Sequence, residues 1–192
     1  VAARVLSRRG YSVKVAFAGS KDKMSPACRF AAERFDGIVL PLSPDCLHRF
    51  KGVVVDALFG IGLSRPIQGE IADFITALNA SSLPVVSLDI PSGVFADTGA
   101  VSPAAVKSDL TVTFCRPKPA HFLYPAKEYV GDLTVCPIGI TDEIIANQHP
   151  RFIVNPPFEL PAPTPYDHKY SRGAVLVVGG QMTGAARLAA QA

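Results

Sequence analysis

The chain has 192 residues, 48% of them hydrophobic and 18% charged, with a formal net charge of +3. That is the composition of a globular chain long enough to bury its own core, and no run approaches the roughly 20 apolar residues of a membrane-spanning helix. Lys and Arg are scattered, with no basic run and no interleaved aromatics, so neither a nucleic-acid surface nor a membrane partner is expected.

Val1 to Gly10 predicts a helix, with Val1, Val5 and Leu6 on one face and Gly10 as its stop. Tyr11 to Ala18 reads as a strand, and Ser25-Pro26 as the cap and first position of a helix running to about Phe35. Gly37 to Leu42 is a short strand or strand edge. Gly52 to Leu58 carries consecutive valines, the pattern of a strand buried on both faces. Ile67, Ile71, Phe74, Ile75 and Leu78 recur at helical spacing and predict an amphipathic helix over 66–80. Val85 to Ile90, Leu110 to Phe114 and Leu133 to Ile138 are further strands. Strands alternating with helices imply an α/β fold, three-layered (αβα), with a mostly parallel sheet.

The texture changes at Thr141. Prolines at 150, 156, 157, 161, 163 and 165 mark 141–168 as an extended linker. Gly173 to Gly180 then predicts a new strand ending in a glycine turn, and Thr183 to Ala192 a helix, the opening unit of a second, incomplete α/β domain. The expected organisation is thus a first domain over 1–140, the linker, and an opening fragment over 169–192. Cys28, Cys46, Cys115 and Cys136 form no C-x-x-C pair and read as buried free thiols of a reducing, cytoplasmic compartment. The four histidines lie too far apart in sequence for a zinc signature.

Two places concentrate chemistry. In Asp56-Ala-Leu-Phe-Gly60-Ile-Gly62-Leu-Ser-Arg65-Pro, a carboxylate stands near the end of a strand, where open α/β sheets bind ligands. Gly60 and Gly62 allow close approach of backbone to ligand, and the next helix offers free N–H groups to a phosphate. Alternatively, Asp56 caps a loop and the glycines make a turn. In Ser87-Leu-Asp89-Ile-Pro91-Ser92-Gly93 a second carboxylate ends a second strand. Two such carboxylates on neighbouring strands would repel, and a cation with hard oxygen ligands would relieve them, with Asp56 and the Ser92 hydroxyl as a partial shell. Asp89 is then the candidate proton donor and acceptor. Phe114-Cys-Arg116-Pro-Lys118-Pro is either a phosphate-facing loop or a solvated one.

The runs VDALFGIGLSRPIQG, SLDIPSGVFADTG, DLTVTFCRPKPAHF and GDLTVCPIGI, in this order, resemble the epimerase domain of NAD(P)H-hydrate repair enzymes. The tail HKYSRGAVLVVGG followed by MTGAARLAA resembles the opening of the ADP-dependent NAD(P)H-hydrate dehydratase domain. The resemblance implies a Rossmann-like domain that interconverts the R and S forms of hydrated NADH or NADPH, with a homo-oligomer expected for the full-length protein. It implies Asp56 and Ser92 as ligands of a potassium ion. It also implies Gly60, Ile61, Gly62, Leu63, Ser64, Arg65 and Pro66 as the substrate loop, and Asp89 as the carboxylate meeting substrate. ADP or ATP would serve only the dehydratase domain, whose catalytic residues are expected beyond Ala192. The family's Asn-Asn-Gly-Gly-Asp-Gly loop precedes the helix that begins here at Val1, so poor stability and low activity are expected of the isolated chain. The competing reading is a non-catalytic binding or scaffold module of the same fold. An ordinary dinucleotide oxidoreductase would call for a G-x-G-x-x-G turn after the first strand, which is absent.

Overall fold

The computed structural model describes residues 1–148, 152–155, 161–168, 170–181 and 183–191. Pro150, Pro156 and Pro157 of the expected linker, and Ala192 at the end of the last expected helix, lie outside the described residues. The chain divides into two compact units, Val1–Phe152 and Ile153–Ala192, a boundary inside the expected linker.

The first unit opens with α1 (Ala2–Arg8). Tyr11 N–H bonds to the Leu6 carbonyl at 3.2 Å and Gly10 N–H to the Ser7 carbonyl at 2.9 Å, with Gly10 at φ +88°, the paired closure that ends a helix on glycine. β1 (Lys14–Phe17) follows, then α2 (Pro26–Ala32), capped by the Ser25 hydroxyl accepting from Cys28 N–H, and β2 (Ile38–Pro41). β1 and β2 pair in parallel as a two-stranded sheet.

A four-stranded sheet holds the rest: β3 (Val54–Asp56), β4 (Val85–Leu88), β5 (Leu110–Phe114) and β6 (Asp132–Cys136), side by side in chain order and all parallel. Parallel neighbours need a crossover, and α3 (Glu70–Ala80) supplies the one between β3 and β4. Its Phe74, Ile75 and Leu78 are buried against Leu42, Ile67, Val85 and Val106. Burying each such side chain stabilises by roughly 1.5–3 kcal/mol. A second cluster, Ile90, Val94, Ala96, Ala120 and Ala126, gathers beyond the carboxyl ends of β4 and β5. The first unit ends with α4 (Asp142–Ala146).

Four expectations change. β3 is not buried on both faces: Val54 packs against the core while Val55 is 41% exposed, because among the described residues only one face of this edge strand is covered. The mostly parallel sheet is two separate parallel sheets among the described residues. None of the four cysteines is buried, though all are free; Cys28 and Cys136 are exposed. The strand expected over 173–180 does not form, and Val175, Leu176 and Val178 stand exposed. An apolar run becomes a strand only where a neighbour takes up its backbone hydrogen bonds, and no described residue of the second unit does so. α5 (Thr183–Gln191) does form.

Candidate active site

The parallel register sets Asp56, the last residue of β3, opposite Ser87 of β4. Asp56 is only 4% exposed, and its carboxylate collects four donors. Oδ1 accepts from Leu58 N–H at 3.3 Å and the Ser92 hydroxyl at 2.6 Å; Oδ2 accepts from the Ser87 hydroxyl and Ser92 N–H, both at 2.8 Å. A buried charge is tolerated on these terms, with every lone-pair direction used. Ser92 Oγ also accepts from Phe59 N–H at 2.9 Å and lies 3.3 Å from the Phe59 carbonyl oxygen. The Asp56–Ser92 pair therefore clasps the turn after β4 to the start of the glycine loop. Gly93 completes that turn at φ +100°, where a Cβ would sit 2.5 Å from the Ala104 carbonyl, so no other residue fits.

Gly60 to Pro66 is an irregular, largely exposed loop pinned at both ends. Ser92 holds Phe59, and the Ser102 hydroxyl accepts from Ile67 N–H at 2.9 Å. Leu63 N–H closes a turn on the Gly60 carbonyl. A cavity of about 300 Å³ lies against the loop, lined by Phe59, Leu63, Arg65, Ile67 and Ile71 among others. Ile61, Gly62, Ser64 and Arg65 are exposed. The helix after the loop starts at Glu70, later than the sequence implies, and carries Glu70 and Asp73 in its first turn. Those carboxylates complement the positive end of the helix dipole and would compete with a phosphate there.

Asp89 lies one residue beyond β4 and is only partly buried. Its φ is +69°, and Ile90 N–H bonds to the Leu88 carbonyl across it at 2.9 Å. That is a γ-turn, a costly conformation for a residue other than glycine. β5 ends the same way: Cys115 has φ +64°, and Arg116 N–H reaches the Phe114 carbonyl at 2.8 Å. Oδ1 of Asp89 accepts from Lys118 Nζ, the Thr113 hydroxyl at 3.1 Å and Phe114 N–H at 3.2 Å. The carboxylate is thus aimed by the strand end beside its own. Burial pushes its pKa upward, but the Lys118 ammonium, Phe114 N–H and the Thr113 hydroxyl outweigh that and hold it below the ordinary value of 3.8.

Buried His121 supports the arrangement. Its Nδ1 lies 3.0 Å from Lys118 N–H and must accept, which assigns the proton to Nε2, 3.0 Å from the Asp89 carbonyl oxygen. Burial, with the nearby Lys118 charge, lowers its pKa below 6.5 and keeps the ring neutral.

The two carboxylates therefore do not face each other as an unrelieved pair. Asp56 turns to Ser87 and Ser92, and the cation that Asp89 meets is Lys118. Lys118 is not a phosphate-facing residue but points inward, and Arg116 pairs with exposed Asp142. The sequence reading singles out Asp56 and Ser92, and the structure bonds the two side chains to each other. That reading misses Thr113, His121 and Ser102, although the alternation in LTVTF marks Thr113 as sharing a face with Thr111.

The sequence profile of the YjeF-related protein N-terminus family matches residues 1–120. The chain belongs to that family. Across 191 residues it is 39% identical to the bifunctional NAD(P)H-hydrate repair enzyme Nnr of Thermofilum pendens, covering 94% of this chain and 36% of that protein. Across 134 residues it is 37% identical to the NAD(P)H-hydrate epimerase of Limosilactobacillus fermentum, covering 69% of this chain and 64% of that protein. The chain thus spans well under half of the bifunctional relative and just under two thirds of the epimerase. The crystal structure of yeast ynu0, YNL200c, superposes with a TM-score of 0.60 at 21% identity, over 76% of this chain and 63% of that one. That likeness is one of fold, and it agrees with the Rossmann-like α/β class. No helix among the described residues is long and apolar enough to cross a membrane.

Proposed function

We propose that the first unit carries an NAD(P)H-hydrate epimerase site, interconverting the R and S forms of hydrated NADH and NADPH. The carrying observation is Asp89, a carboxylate at the carboxyl end of the sheet with Oδ1 held by three donors and Oδ2 turned toward Gly60, whose added Cβ would lie 4.0 Å away. Family membership and the names of the relatives support the substrate class.

The reacting carbon of the hydrate bears a hydroxyl and a ring nitrogen. Its C–O bond breaks with the electron pair leaving on oxygen, while the nitrogen lone pair forms a C=N bond. The departing oxygen takes a proton from Asp89 and leaves as water. Because Lys118 and its neighbours favour the ionised carboxylate, that proton is one Asp89 has just drawn from solvent. Ionised again, Asp89 steadies the planar cation, then accepts a proton from the water that adds to either face. Protons and water balance over the cycle. The glycine loop and its cavity supply the surface on which the dinucleotide lies, with exposed Arg65 as the cation for a phosphate.

Potassium is the proposed metal. Asp56 Oδ1, Ser92 Oγ and the Phe59 carbonyl form an all-oxygen group with one negative charge, which would hold a hard monovalent cation once the Leu58 and Ser92 donors on Oδ1 turned away to admit it. When bound, it would supply positive charge at the base of the glycine loop. The dehydratase chemistry of the bifunctional relatives, with ADP or ATP, is assigned to sequence outside the first unit. Small-molecule substrate, homo-oligomerisation and a cytoplasmic location belong to the same proposal.

The test is to follow R and S NADPHX by NMR or chiral chromatography, with potassium present and absent. Potassium-dependent interconversion supports the reading. NADPHX bound without interconversion favours the scaffold module.

A further inference from the structure

Lys118 has no free hydrogen-bonding capacity. An ammonium has three N–H donors, and here they meet Asp89 Oδ1, the Thr113 hydroxyl at 2.8 Å and the Phe114 carbonyl at 3.1 Å. The residue is tied to Asp89 a second time through its backbone, since Lys118 N–H bonds to His121 Nδ1 and His121 Nε2 to the Asp89 carbonyl. Asp89 Oδ1 accepts three bonds, whereas no described residue donates to Oδ2. The γ-turn at Asp89 is the kind of strained backbone that persists only where neighbours over-determine it.

From these contacts we propose that Lys118 is the positioning residue of Asp89: it occupies Oδ1, leaving Oδ2 as the single oxygen presented to substrate. It touches no substrate itself and acts through the carboxylate. Among the described residues, the titratable groups that meet Asp89 are Lys118 and His121, both from the loop after β5; Asp56, on β3, bonds to Leu58, Ser87 and Ser92 instead. The kinetic part of this inference rests on the epimerase reading, while the protonation part does not.

The test uses Lys118→Met and Lys118→Arg in the full-length protein. The Asp89 carboxyl carbon is followed by ¹³C NMR, assigned by its absence in Asp89→Asn. In Lys118→Met, Asp89 is expected to titrate about one unit or more higher, as a carboxylate does on losing an adjacent cation. The inflection of the epimerase pH–rate profile should move with it, and kcat should fall about 10–100-fold with little change in KM. Arg restores the charge, but its planar fork cannot address the same three acceptors. Lys118→Arg should therefore titrate like wild type yet keep a lowered kcat, and this variant decides the matter if Lys118→Met does not fold. An unmoved Asp89 titration in folded Lys118→Met overturns the inference, as does wild-type kcat in Lys118→Arg or a raised KM at constant kcat. If wild type turns over no NADPHX, the epimerase reading fails and the NMR titration still decides the role of Lys118.

Discussion

Ser92→Ala isolates the clasp that holds the glycine loop to the turn after β4. The change removes one hydroxyl and leaves the turn's volume and backbone alone. Lost first is the 2.6 Å bond to the Asp56 carboxylate, worth about 1.5–3 kcal/mol as a hydrogen bond to a charged group. Lost with it is the acceptor for Phe59 N–H at 2.9 Å, which strands a part-buried donor at a cost of about 1 kcal/mol. Asp56 keeps three of its four donors, so the charge is weakened in its support but not abandoned. The expected loss is about 3 kcal/mol, read as a lowered urea midpoint at unchanged slope. Ser102→Ala is the comparison: its hydroxyl accepts one neutral bond from Ile67 N–H at the other end of the loop, worth about 1 kcal/mol. A Ser92→Ala loss no larger than that of Ser102→Ala would refute the reasoning, because the charge-assisted bond would then contribute nothing.

Cys115→Gly should leave stability unchanged or raise it by up to about 1 kcal/mol, since relief of the left-handed strain at φ +64° exceeds glycine's entropic cost; a lowered midpoint in thermal melting would contradict this. Stability should also depend on pH in two windows. His121 binds its proton less readily folded than unfolded, so stability is full above its unfolded value of 6.5 and declines as pH falls below it, by at most about 1.4 kcal/mol per unit. Asp89, depressed below 3.8, contributes stability above that value and loses it as pH falls through the folded pKa. Urea titrations from pH 8 to 5 should show the first decline in wild type and lose it in His121→Gln.

Much of this was legible in the sequence because it is local. Ser25-Pro26 and Gly10 mark helix ends through their own side chain or its lack, and the spacing of Phe74, Ile75 and Leu78 sets the buried face of α3. Asp56 and Ser92 stood out as polar groups attached to apolar strands, and the register of β3 with β4 brings them together. What stayed hidden is non-local. Lys118 reaches Asp89 across 29 residues, and nothing in Arg-Pro-Lys-Pro tells an inward lysine from a solvated one. The valines of β3 and the run Val175–Val178 failed for a related reason: a β-branched run states a preference for pairing, and only the fold determines which neighbours answer it. Asp89 at positive φ was equally unreadable, because the turn is imposed by the ladder contact of Asp89 N–H with the Val112 carbonyl at 2.7 Å.

The central claim is that one carboxylate, Asp89, performs the epimerisation. Asp89→Asn is the sharpest probe, since asparagine keeps the side chain's shape while losing its basicity. Exchange between R- and S-NADPHX should be followed by NMR in wild type and in Asp89→Asn, with circular dichroism confirming that both are folded. The account predicts exchange in wild type and a loss of at least about a hundredfold in the variant, the scale of a positioned acid–base group. Exchange at the wild-type rate in folded Asp89→Asn would contradict it.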